Sequence, residues 1–180
     1  MKPQLGDTIL NRYTLVSSLR EEPGIQAWKA NDRVLAKDCQ LFIITDRSAF
    51  AAIDELAGRM AATRPDRVIP VLKYRMESDV LLIVMPVDSG QCLTDYMVDT
   101  AKPLSYSAIR SIIGECANVL REVIADTPSG IVITTDTVRV TTSGVQIADA
   151  PCATMLLPIC VRTVLNGMRF ASLRHYSIPC

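Results

Sequence analysis

The hydrophobic positions change period along the chain, and the changes mark out its elements. Residues 5–16 end in an alternation in which Tyr13 and Leu15 enclose a polar Thr14. A Pro23-Gly24 break separates this run from a second alternating one at residues 26–30. The third run, residues 39–44, is almost continuously apolar, the pattern of a strand covered on both faces. These runs predict three short strands in a meander. The period then lengthens: Phe50, Ile53, Leu56, Ala57 and Met60 fall three or four apart, with Asp54, Glu55 and Arg59 beside them. That spacing predicts an amphipathic helix, capped by Ser48 and broken at Arg64-Pro65-Asp66. Two more strands are predicted at residues 68–74 and 80–84, with a turn at 77–79 between them. The expected first unit is a five-stranded antiparallel sheet with one helix.

The texture changes at Pro86. Residues 86–90 read as a linker, and Leu93, Tyr96 and Met97 mark a short helix after it. Pro103-Leu104-Ser105 opens the longest helix, running to Ala125. Its stripe (Ile109, Ile112, Ile113, Cys116, Val119, Leu120, Val123, Ile124) is wider than one face, which predicts a helix central to a helical core. Residues 138–141 and 145–148 alternate around Ser143-Gly144 and predict a hairpin, with Asp149 just past its second strand. A last helix is expected at residues 156–168. The fold class is α+β.

Composition narrows the partners more than it identifies them. The chain has 180 residues, 49% of them hydrophobic, enough for one core or for two small lobes sharing one. Net charge is zero and no basic run occurs, which argues against nucleic acid. No apolar run approaches the roughly 18 residues that span a bilayer, and the polar N-terminus is unlike a signal peptide, so a cytoplasmic protein is expected. The six cysteines are scattered, without a Cys-x-x-Cys pair, and His175 is the sole histidine. That spacing argues against zinc, and neither a metal nor another cofactor is expected. Reduced thiols are the simpler reading, although Cys152, Cys160 and Cys180 leave open a regulatory disulfide.

Sheet, helix, two strands, linker and helices, in that order, resemble a bacterial Ser/Thr protein kinase domain. Gly6-Asp7 with Asn11-Arg12-Tyr13 is similar to the family's opening, and Trp28-Lys29-Ala30-Asn31-Asp32 to its second strand. Arg64-Pro65-Asp66-Arg67-Val68 resembles the phrase before its fourth strand. Leu82-Ile83-Val84-Met85-Pro86-Val87 resembles its fifth strand and hinge, with Met85 in the gatekeeper place. The resemblance implies a bilobal fold, with a kinase-like N-lobe over residues 1–85 and a C-lobe over residues 86–180. That second lobe is expected to be truncated and mainly helical.

The residues that would transfer phosphate are largely replaced. Phosphoryl transfer uses glycines, a strand lysine, magnesium ligands and a loop aspartate. Residues 18–24 keep one glycine and bring Glu21 and Glu22 where phosphates would approach, which predicts repulsion of a triphosphate. The strand lysine aligns with Phe42, while its helix partner survives as Glu55. Ile133-Thr134-Thr135-Asp136-Thr137 stands in place of the catalytic loop, and Asp149 is followed by Ala150-Pro151 where the family has Phe-Gly. A single carboxylate is a poor magnesium site. This leaves no catalytic residue and degraded kinase positions at Phe42, Glu55, Asp136 and Asp149.

More particularly, the chain resembles actinobacterial pseudokinase domains, including the cytoplasmic domain of MviN/MurJ-type lipid II flippases. That resemblance implies a catalytically inactive regulatory module for cell-wall synthesis. Its partners would be an FHA domain or an active Ser/Thr kinase, and Thr134, Thr135 and Thr137 are candidate phosphorylation sites. Apolar helix surface left uncovered by a truncated lobe would also suit a partner or a homodimer. Each residue also has a plainer role: Glu55 as a helix-face carboxylate, Asp149 as a turn residue bonding nearby amides, the threonines as strand and turn formers, Trp28 as core. Two alternatives stay open. One is a residual or atypical kinase using Asp136 and Asp149, and the other an unrelated small α+β binding domain.

Overall fold

The computed structural model describes residues 3–77, 79–99, 104–126 and 131–156. Strands β1 (Thr8–Ile9), β2 (Tyr13–Glu22), β3 (Ile25–Asp32), β4 (Lys37–Ile44), β5 (Lys73–Glu77) and β6 (Val80–Pro86) form one sheet. It has six strands in the order β1-β2-β3-β4-β6-β5, every pair antiparallel. The expected count of five is corrected by β1, which folds back on Tyr13 and Thr14 through left-handed Leu10 and Asn11. The turn between β2 and β3 needs its glycine. Gly24 has φ +82°, its carbonyl accepts from Thr45 N–H at 2.9 Å, and a Cβ there would lie 2.6 Å from Asp46 Cβ.

Alternation along β4 explains its continuous apolar run. Phe42 and Ile44 face inward with Ala27, Ile83 and Met85, while Leu41 and Ile43 join Tyr13, Leu15, Trp28, Leu82 and Val84 on the other face. Both faces are buried, so neither side tolerates a regular polar position. Helix α1 (Phe50–Thr63) covers the inner face with Phe50, Ile53, Ala57 and Met60, and Leu56 packs beside them half-buried. Its entry corrects the expected Ser48 cap. Asp46 is the capping residue, accepting from Ser48 N–H at 3.0 Å at the start of a short 3-10 turn. Its exit is the expected one: Arg64 turns left-handed, φ 46°, and donates to Met60 O at 3.0 Å just before Pro65.

Residues 68–72 depart from the expected strand. Val68, Ile69 and Val71 are buried, yet they run beneath the sheet, and β5 starts only at Lys73. Ile69 N–H donates to Ile147 O at 2.9 Å and Ile147 N–H to Arg67 O at 2.8 Å, which spends their backbone on a different partner.

That partner is the second sheet. Strands β7 (Gln91–Cys92), β8 (Val138–Thr141) and β9 (Gly144–Ile147) pair in the order β7-β8-β9. The hairpin is the one expected, while β7 lies between the expected linker at residues 86–90 and the expected short helix, where the sequence predicts no strand. Helix α2 (Leu93–Asp99) follows β7, and α3 (Tyr106–Asp126) crosses behind the hairpin. Val119 and Val123 are its buried anchors in the described part of the chain. Ile109 and Ile113 are 41% and 63% exposed, so the wide stripe does not place α3 at the centre of the described core. Glu115 of α3 accepts Val145 N–H at 2.8 Å and Arg67 Nη1 at 2.6 Å. Gly144 (φ +121°) makes room for it, because a Cβ there would collide with that carboxylate. One apolar cluster runs unbroken from the sheet's inner face through α1 to Val119, Val138, Val145 and Ile147. The helix expected at residues 156–168 lies outside the described residues beyond Leu156.

Candidate functional site

The two sheets face each other across a cleft of about 390 Å³. Its roof comes from the first sheet, with Arg20 of β2, Ala27 and Lys29 of β3 and Gln40 of β4. Its floor is Asp88, Asp95, Asp136, Arg139 and Asp149. Phe42, the residue aligned with the strand lysine, is not among the residues that line the cleft. Phe42 is fully buried between Ala27 and Ile83, inside the core rather than on the cleft wall. Gln40, two residues earlier on the same face, lines the cleft in its stead, and is itself buried. Glu21 and Glu22 do not guard the cleft either. They line a separate hollow of about 570 Å³ around Pro23 and Gly24, at the far end of the β2–β3 hairpin.

A chain of one hydrogen bond and one longer ion pair joins the roof of the cleft to its floor. Gln40 Nε2 donates to Asp149 Oδ1 at 3.1 Å, and the second carboxylate oxygen stands 3.9 Å from Arg139 Nη2. Arg139 Nε also donates to Asp88, and its Nη1 donates to the Asp136 carbonyl. One guanidinium thus links the stretch after β6, the turn before β8 and the second residue after β9. The position follows from the pleat, since Val138 turns into the core and Arg139 turns out of it. Arg20 adds a second tie from roof to floor by donating to Leu156 O. Lys29 instead lies along the sheet, its ammonium 2.8 Å from Asp38.

Asp149 is 7% exposed, and its left-handed backbone (φ 56°) aims the carboxylate into the cleft. Burial pushes its pKa up, and the Asp88 charge pushes it further. Arg139, the Gln40 bond and Arg20 pull it back, leaving it at about 6. The turn role expected of this residue holds only for its carbonyl, which accepts from Cys152 N–H at 2.8 Å. Its carboxylate bonds a side-chain amide instead.

The other singled-out residues are dispersed. Glu55 points to solvent and pairs with Arg59 one turn on, at 2.6 Å, with its side chain 61% exposed. Asp136 reaches the cleft but accepts from Thr94 Oγ1 at 2.8 Å. Thr137 is 2% exposed, its hydroxyl donating to Thr134 O at 3.1 Å, and Thr134 is half-buried in the same turn. Thr135 is exposed. Cys152 is fully buried, while Cys160 and Cys180 lie outside the described residues. Gln40, Arg139, Asp88 and Arg20 escaped the reading of the sequence. The signals were a polar residue inside an apolar strand and an arginine between two valines.

No family model matches the chain, and no curated relative matches it. Solved structures do match. A cysteine-to-alanine mutant of the Mycobacterium tuberculosis PknI kinase domain superposes with a TM-score of 0.69 at 17% identity, over 85% of this chain. The unmodified PknI kinase domain gives 0.66 at 16% identity over 83%. PpkA-294 in its apo form gives 0.67 at 12% over 84%. The chain spans 64%, 62% and 62% of the length of those chains. Identity this low carries the fold and nothing finer, and the fold is that of bacterial Ser/Thr protein kinase domains.

Proposed function

We propose that the chain is a catalytically inactive kinase-like module that works by binding other proteins. In the actinobacterial pseudokinases it resembles, that role belongs to the control of cell-wall synthesis, with an FHA domain or an active Ser/Thr kinase as partner. The observation that carries the reading is the Gln40–Asp149–Arg139 chain across the cleft. A nucleotide needs a cation for its phosphates there, and magnesium needs free carboxylate oxygens. One oxygen of Asp149 is bonded to an amide N–H and the other faces a guanidinium, so the donor set does not suit magnesium. Phe42, in the place of the family's lysine, is sealed in the core. Surface threonines, Thr135 foremost, then serve as handles for recognition.

The test is thermal melting with and without magnesium-ATP, because a ligand that binds the folded state raises its melting temperature by mass action. No displacement is expected. A rise of several degrees, or transfer of labelled phosphate that Asp149→Ala abolishes, would establish the residual kinase instead.

A further inference from the structure

The sheet ends at β5, whose five residues are all exposed. Among the described residues its strand neighbour is β6 alone. An edge strand presents backbone N–H and C=O groups at alternate residues, and natural edges are usually blunted. Here the alternation splits the side chains cleanly. Tyr74 pairs with Ile83 of the inner face, and its hydroxyl lies beside Gly58 of α1. Met76 and the preceding Leu72 share that face, and the three are 58% (Leu72), 39% (Tyr74) and 50% (Met76) exposed. Lys73, Arg75 and Glu77 occupy the other face. A row of large apolar side chains along an open edge is what an interaction surface looks like.

The charged row says which partner fits. Antiparallel pairing about a two-fold axis at Arg75 sets Lys73 opposite Glu77 of a second copy, and Glu77 opposite its Lys73. The same register sets Tyr74 opposite Met76 twice, a ring-to-thioether contact of the kind that stabilises cross-strand pairs. The two Arg75 side chains meet at the axis, each already 3.2 Å from its own Glu77. With Tyr74 on the axis, Lys73 would oppose Arg75, like against like. With Met76 on the axis, Lys73 and Tyr74 would overhang the end of the other strand. We propose that β5 is a self-association edge, on which a second copy of this chain docks in the Arg75-centred register to extend the sheet. An edge this short makes a weak, concentration-dependent dimer.

Sedimentation equilibrium over a concentration series reads the mass directly. The unmodified chain is expected to move from one copy towards two. Lys73→Glu alone and Glu77→Lys alone are each expected to stay monomeric, since each sets like charges across the axis. Mixed in equal amounts they are expected to pair, each supplying what the other lost, and the double variant Lys73→Glu/Glu77→Lys is expected to recover self-association. Both positions are exposed, and circular dichroism melts verify that the variants fold. A chain monomeric at every concentration, association indifferent to either reversal, or a mixture that stays monomeric would each overturn the proposal.

Discussion

Gln40 and Asp149 are 109 residues apart in sequence, and a 3.1 Å hydrogen bond joins them. The bond ties the roof of the cleft to its floor, and it leaves a carboxylate charged in a place where burial resists charge.

That arrangement sets a pH dependence with a definite sign. Asp149 has its pKa raised from 3.8 to about 6, so between those values the folded chain holds a proton that the unfolded chain releases. Its contribution to stability is fully present below 3.8, falls steadily as pH rises from there, and is lost once pH has passed about 6. At roughly 1.4 kcal/mol per pH unit the cost at neutral pH is of order 3 kcal/mol. Asp149→Asn is expected to melt higher than the unmodified chain at neutral pH, with the gap narrowing as pH falls below about 6 and closing only below 3.8. Thermal melts across that range measure it, and equal gaps at both ends would contradict it.

Arg139 is the only guanidinium that the described structure gives to both Asp88 and Asp149. Arg139→Met leaves two partly buried carboxylates without their counter-charge. The expected loss is about 3 kcal/mol, read by urea titration. Combined with Asp149→Asn the loss should shrink, because the variants act on one network. Simple addition of the two effects would mean that the network is not coupled.

The Glu115–Val145 bond makes a claim about local stability. Gly144→Ala combines a left-handed backbone with a side-chain carbon in the Glu115 carboxylate, and is expected to cost more than about 1 kcal/mol. Glu115→Gln keeps the size but weakens a charge-assisted bond. Hydrogen exchange at the Val145 amide should quicken in that variant while amides of β3 and β4 stay as slow as before.

The candidate phosphorylation sites separate by exposure. Thr135 is exposed, while the Thr137 hydroxyl is enclosed and already bonded. Incubation with an active Ser/Thr kinase followed by mass spectrometry should find phosphate on Thr135 and none on Thr137. Modification of Thr137 in the folded chain would require the turn to open.

The amino-acid order alone determined the local elements and their sides. Residues 39–44 read as a strand buried twice over, residues 50–60 as a one-sided helix and residues 138–148 as a hairpin, because period and turn chemistry are properties of neighbours in sequence. The kinase-like order of those elements was legible for the same reason. Tertiary structure alone decided which side chains meet. Nothing near Gln40 in sequence announces Asp149, and nothing near Arg139 announces Asp88, since both pairings depend on how the two sheets close on each other. The same holds for residues 68–71, whose strand-like composition gave way to bonds with the distant Ile147. Burial then finished what proximity began: a carboxylate in water titrates by its own chemistry, and Asp149 under Gln40 titrates by the cleft around it.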